Sequence, residues 1–158
     1  MVDPDREVSL RRAIEELYFG YRAFTALPDK ILAERGLGRT HHRILYFVRR
    51  DPGISIGELL SVLEVTKQAI HRPIKDLEER DLLSIASDLQ DRRVRRLSVT
   101  SEGAELEAQL TASQMRLLDR AFQGLGESVE DHWHEVMKRL AKQGITGRQP
   151  ERQPPAQN

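Results

Sequence analysis

No cysteine occurs anywhere in the chain, which removes disulfide frameworks, zinc ribbons, thiol nucleophiles and cysteine redox sensing together. Aromatic residues make up only 5% of the 158 positions, too few to suggest a large substrate cleft. A Gly-rich phosphate loop, a His-Glu-x-x-His pair and a nucleophile elbow are likewise missing, so no enzyme is expected. The two closest-spaced histidines of the C-terminal third, His132 and His134, would point about 200° apart on a helix, and His41 and His42 would diverge similarly. No metal site and no cofactor are expected. There is no long apolar run, and the opening "MVDPDREVSL" has no signal-peptide pattern, so the reading is a cytoplasmic protein with no membrane partner. An excess of charge of either sign is also absent: 25 basic groups balance 25 acidic ones.

That balance hides an uneven distribution. Residues 39–100 carry 12 basic and 9 acidic side chains, a net charge of +3 between flanks of −1 and −2. A modest basic centre of this kind is compatible with nucleic-acid binding and equally with an ordinary solvated surface. The hydrophobic pattern is helical for most of the chain. A first helix over about Arg6 to Arg35 carries Leu10, Ile14, Leu17, Tyr18, Tyr21 and Phe24 at spacings of three and four, with a kink or restart expected at Pro28. A second runs from about Thr40 to Arg50 and stops at "DPG". The third opens with a capping box, Ser55 followed by Glu58, with Ile54 placed to staple onto Leu59.

Thr66 can cap a fourth helix and Val65 can staple onto Ile70; Ile70, Ile74 and Leu77 lie on one side, with Gln68, His71, Arg72 and Lys75 on the other. Pro73 sits inside it, removing the hydrogen bond to the Ala69 carbonyl, so a kink or widened turn between them is expected. The period then changes: "LLSIAS" and "VRRLSVT" flank the charged turn "DLQDRR" as a β-hairpin. Thr100 or Ser101 starts a long helix to about Gln123, glycines at 124 and 126 end it, and a last helix runs from about Ser128 to Lys142.

Three helices followed by a two-stranded hairpin are the order of a winged helix-turn-helix. The run "GISIGELLSVLEVTKQAIHRPIKDLEERDLLSIASDLQDRRVRRLSVTSEG" resembles the core of the multiple-antibiotic-resistance regulator (MarR) family of bacterial transcription factors. The wing carries the resemblance best: Asp88, Asp91, Arg92 and Arg93, then "LSVTSEG", are similar to the family's D-x-R-D-x-R wing and L-T-x-x-G helix entry. Gln90 stands where the family commonly has arginine, and Pro73 is outside the general pattern. The resemblance covers roughly residues 8–142.

It implies a mainly α fold with a small β-hairpin: an N-terminal dimerisation helix (1–35), a winged helix-turn-helix domain (36–100), C-terminal dimerisation helices (101–145) and a disordered tail (146–158) rich in Pro and Gln. The implied function is a transcriptional regulator, a repressor, binding a pseudo-palindromic double-stranded DNA site as a homodimer and released by a small aromatic or anionic effector. On the recognition helix, Gln68 suits a bidentate contact to adenine and Arg72 one to guanine; Lys67, His71 and Lys75 suit phosphates or bases, and Thr66 with the free amides a phosphate. In the wing, Arg92 or Arg93 would reach the minor groove with Asp91 holding an arginine in place, while Arg95 and Arg96 flank the phosphates. Tyr18, Phe24, His42 and Tyr46 are the candidate effector contacts, against the plainer reading of an aromatic core. The rival function is a winged-helix dimer that serves as a protein-interaction module without binding DNA.

Overall fold

The computed structural model describes residues 3–146, with side chains described through Gln143. The elements are α1 (Pro4–Glu34), α2 (Arg39–Arg50), α3 (Ile56–Leu63), α4 (Lys67–Glu79), β1 (Leu83–Ser87), β2 (Arg95–Val99), α5 (Ser101–Phe122) and α6 (Val129–Thr146). Contacts divide the chain into one unit ending at Leu117 and a second beginning at Leu118. The tail expected over 146–158 lies outside the described residues except for Thr146, the last residue of α6.

The core belongs to the first unit and follows from the apolar spacing of each element. Ile44, Leu45 and Val48 of α2, Leu59 of α3, Ile70, Ile74 and Leu77 of α4, Leu97 of β2, and Leu106 and Leu110 of α5 are all buried. From α1 only the C-terminal part joins them, through Leu32, with Thr25 and Pro28 also buried on that side. Helix α3 starts where its chemistry requires. The Ser55 hydroxyl accepts from the Glu58 amide at 3.1 Å and the Glu58 carboxylate accepts from the Ser55 amide at 2.8 Å. Ile54 and Leu59, the staple pair, are both buried. Val65, read as the second staple, stays exposed. The turn into α4 passes through Glu64 at φ 52°.

No new helix starts at Pro28, and no separate element begins at Pro73. Helix α1 runs through Pro28 and α4 through Pro73 without interruption. Each proline lacks the backbone N–H that would donate to the carbonyl one turn back. In α4, Ile70 before the proline and Ile74 and Leu77 after it are all buried, each worth about 1.5–3 kcal/mol. Anchoring on both sides outweighs a proline penalty of about 3 kcal/mol, so α4 stays helical through Pro73 and its two halves belong to one element.

The hairpin is antiparallel with Ile85 opposite Leu97 and Ser87 opposite Arg95. A third extended segment joins its edge, the Gly53 amide donating to the Leu97 carbonyl at 2.8 Å and the Leu97 amide to the Ile54 carbonyl at 2.9 Å. The wing is thereby tied to the residues that cap α3. Behind it, Thr100 caps α5 by accepting from the Gly103 amide at 3.0 Å. In the second unit, Phe122 meets Trp133 edge-on at 5.8 Å between ring centres.

Candidate nucleic-acid interface

Helix α4 buries one face and leaves Lys67, Gln68, His71, Arg72 and Lys75 exposed on the other. Its N-terminus is fixed by the Thr66 hydroxyl, which accepts from the Ala69 amide at 3.3 Å. The Lys67 and Gln68 amides ahead of that bond are left for an anion. Lys75 makes a loose exposed ion pair with Glu79 at 3.5 Å, of the kind that contributes about 0.3–0.5 kcal/mol and is readily exchanged. The side chains of Lys67, Gln68, His71 and Arg72 have no hydrogen bond or ion pair among the described residues. Gln68, His71, Arg72 and Lys75 line a shallow cleft of about 500 Å³. On its other flank, Lys67, His71 and Lys75 share a groove of about 290 Å³ with Arg95 of β2, floored by Ile56, Ile70, Ile74 and Ile85. The sequence-derived residues of helix and wing strand therefore converge on one surface.

The wing turn is built around two carboxylates. Asp88 accepts from the Gln90 and Asp91 amides at 2.8 and 3.0 Å and from Arg96 Nε at 2.9 Å. The Asp91 amide bond, then the Arg96 bond, hold the Asp88 carboxyl down to about 2. Arg96 also reaches the Gly53 carbonyl and the Glu58 carboxylate, both at 3.3 Å. It ties the wing to the α3 cap and is not a free phosphate ligand, which corrects its expected role. Asp91 grips Arg93 through Nε at 3.0 Å and Nη2 at 3.2 Å, and this bidentate bond holds its carboxyl below the usual range. Arg92 is exposed and without such a partner among the described residues. Between the two arginines left open by the sequence, Arg93 is braced and Arg92 is free.

The effector candidates differ in burial. His42 is only 9% exposed, its Nε2 lying 3.5 Å from the Thr111 hydroxyl, which in turn donates to Glu107. Burial lowers the His42 pKa from its ordinary value. Phe24 is half-buried, and its carbonyl accepts from Gln114 Nε2 at 3.5 Å. Tyr18 and Tyr46, however, are 59% and 42% exposed, because α1 and α2 turn those faces outward. None of the four lines either cleft on α4. A polar cluster near His42 went unread in the sequence: Arg39 grips Asp29 at 2.7 Å, and Arg43 donates to the Tyr21 hydroxyl at 3.0 Å. Only the docking of α1 on α2 brings these distant positions together.

The HTH-type transcriptional regulator PetP of Rhodobacter capsulatus is 37% identical over 131 residues, covering 83% of this chain and 79% of that protein. A family model described as "MarR family" matches residues 35–94, the helix-turn-helix and most of the wing. The chain belongs to the MarR family. It is accordingly a winged-helix, DNA-binding transcriptional regulator. Two solved structures share this architecture. Streptococcus pneumoniae FabT in complex with DNA superposes with a TM-score of 0.72 at 16% identity, over 84% of this chain and 95% of that one. PcaV from Streptomyces coelicolor, in complex with its natural ligand, gives 0.66 at 18% identity, over 90% and 98%. Among the described residues no helix is long and apolar enough to cross a membrane.

Proposed function

We propose that the protein is a repressor that binds a pseudo-palindromic operator as a homodimer, placing α4 of each protomer in successive major grooves. The observation that carries this reading is the unpartnered outer face of α4, Lys67, Gln68, His71 and Arg72, on a helix whose opposite face is locked into the core. Side chains with no intramolecular partner break no internal bond when they bind bases and phosphates. Gln68 and Arg72 serve the bases, Lys67, Lys75 and Arg95 the phosphates, and Thr66 presents the free amides to one more phosphate. FabT, solved in complex with DNA, supports DNA as the partner.

A mobility-shift titration of the protein on its own upstream region, repeated across salt concentrations, tests this. Binding that weakens steeply with salt is expected, because each phosphate neutralised releases condensed counterion. Absent or salt-insensitive binding would leave the interaction-module reading standing.

Control by a small anionic, aromatic effector is the second part of the proposal. PcaV, solved in complex with its natural ligand, supports control by a ligand, and the grouping of Arg39, Arg43, Tyr21 and His42 where α1 meets α2 supports an anionic, aromatic one. An effector seated there would act on α2, and through it on α4. A thermal-shift screen of aromatic carboxylates would show a concentration-dependent rise in melting temperature together with release of DNA.

A further inference from the structure

Leu89 stands at the tip of the wing and is 100% exposed, the only large hydrophobic side chain so placed among the described residues. The other exposed apolar residues of α1 and α6 form part of helical stripes; Leu89 is alone between polar neighbours. The turn that carries it is stiff. The Asp88 carboxylate accepts from the Gln90 and Asp91 amides, the two that follow Leu89, at 2.8 and 3.0 Å and is itself held by Arg96 at 2.9 Å, while the Asp88 amide closes the loop on the Val94 carbonyl at 2.8 Å. A rigid loop presenting an apolar tip loses little entropy when that tip is covered. Next to it, Arg93 is occupied by Asp91 and Gln90 is uncharged, so the tip is less cationic than its arginine count implies.

Resting on the DNA-binding reading above, we propose that Leu89 is the wing's base-sensing contact: it enters the minor groove and selects A·T over G·C pairs, with Arg92 supplying the neighbouring phosphate contact. The chemistry is steric and solvational. An A·T pair shows the minor groove only acceptors, whereas guanine adds the N2 amino group. A leucine laid on the groove floor desolvates the acceptors of either pair, but at G·C it also collides with the protruding amino group and desolvates that donor, a penalty that A·T does not carry. Apolar side chains inserted in the minor groove are an established means of holding DNA.

The test starts from duplexes enriched by the intact protein out of a random pool, with hydroxyl-radical protection marking the pairs under the wing. Anisotropy titrations then compare the parent duplex with versions in which those A·T pairs become I·C or G·C. Inosine lacks the N2 amino group, so I·C keeps the minor groove of A·T while presenting the major groove of G·C. Wild type should bind the parent and the I·C duplex within about twofold of each other and the G·C duplex about tenfold more weakly. Leu89→Ala should lose about tenfold on the parent and no longer distinguish the three, with an unchanged melting temperature because Leu89 packs on nothing; Leu89→Met should keep the preference. Wild-type affinity and discrimination in Leu89→Ala, G·C pairs under the wing, or I·C behaving as G·C would overturn the assignment while leaving DNA binding intact. Failure to enrich any duplex would overturn both.

Discussion

At Gly103 a Cβ would stand 1.9 Å from the Leu82 carbonyl oxygen, so α5 approaches the strand entry more closely than any side chain allows. Gly103→Ala should therefore lower the unfolding free energy by about 1–3 kcal/mol, read as an earlier midpoint in urea or heat, although alanine is the better helix former elsewhere. The paired wing arginines make the opposite point about function. Arg92 and Arg93 look alike in the sequence, and only the position of Asp91, bidentate on Arg93, separates them. Arg92→Ala should weaken binding on all sequences and reduce the salt slope by about one phosphate. Arg93→Ala should act less on the slope and more on the order of the loop. By contrast Arg72→Ala, on the outer face of α4, should relax base preference, with selection from a random pool as the readout.

Among the elements, those governed by local chemistry were the legible ones. Ser55 and Glu58 announced α3 and its capping box is fully formed; the alternation around "DLQDRR" announced the hairpin, and β1 and β2 pair there; the outer face of α4 was read residue by residue from helical spacing. What stayed hidden depended on contacts between distant positions. Arg96 looked like a phosphate ligand until the fold set it between Asp88 and Glu58, and Pro73 looked like a break because its sequence does not show how firmly Ile70 and Leu77 are held. His42 belongs to the same class, since its burial arises where α2 meets α5. It faces Thr111 and Glu107 of α5, Arg43 of its own helix and Asp29 of α1, and burial lowers its pKa against the opposing pull of Glu107. The folded pKa thus lies below the unfolded value of about 6.5, so the unfolded chain binds the proton first as pH falls. The contribution of neutral His42 to stability is complete above about pH 6.5 and declines as pH drops towards the lowered folded value. Melting temperatures measured from pH 8 to 5 should show a fall in wild type that is smaller in His42→Gln.

For the molecule as a whole, the unanswered cost is the apolar face of α1. Leu10, Ile14, Leu17, Tyr18 and Tyr21 share one face and are each at least 40% exposed, and full burial of such side chains is worth about 1.5–3 kcal/mol apiece. A contiguous stripe of that kind marks an interaction surface, and in the proposed dimer the matching helix of a second protomer covers it. Tyr18 would then be buried by the partner, which accounts for its exposure in one chain. Deleting residues 1–35 is a poor test, because Leu32 belongs to the core and its loss would unfold the winged domain. Paired Ile14→Glu and Leu17→Glu substitutions keep the core intact and place charge in the stripe. Sedimentation should show a monomer where wild type is a dimer, with unchanged helical content. Affinity for a full palindromic site should fall by about 100-fold or more, since linkage of two half-site contacts supplies avidity of that order, while the weak affinity for a single half-site should be retained. A monomeric variant that still bound the full site with wild-type affinity would separate dimerisation from DNA recognition and contradict the two-helix, two-groove arrangement.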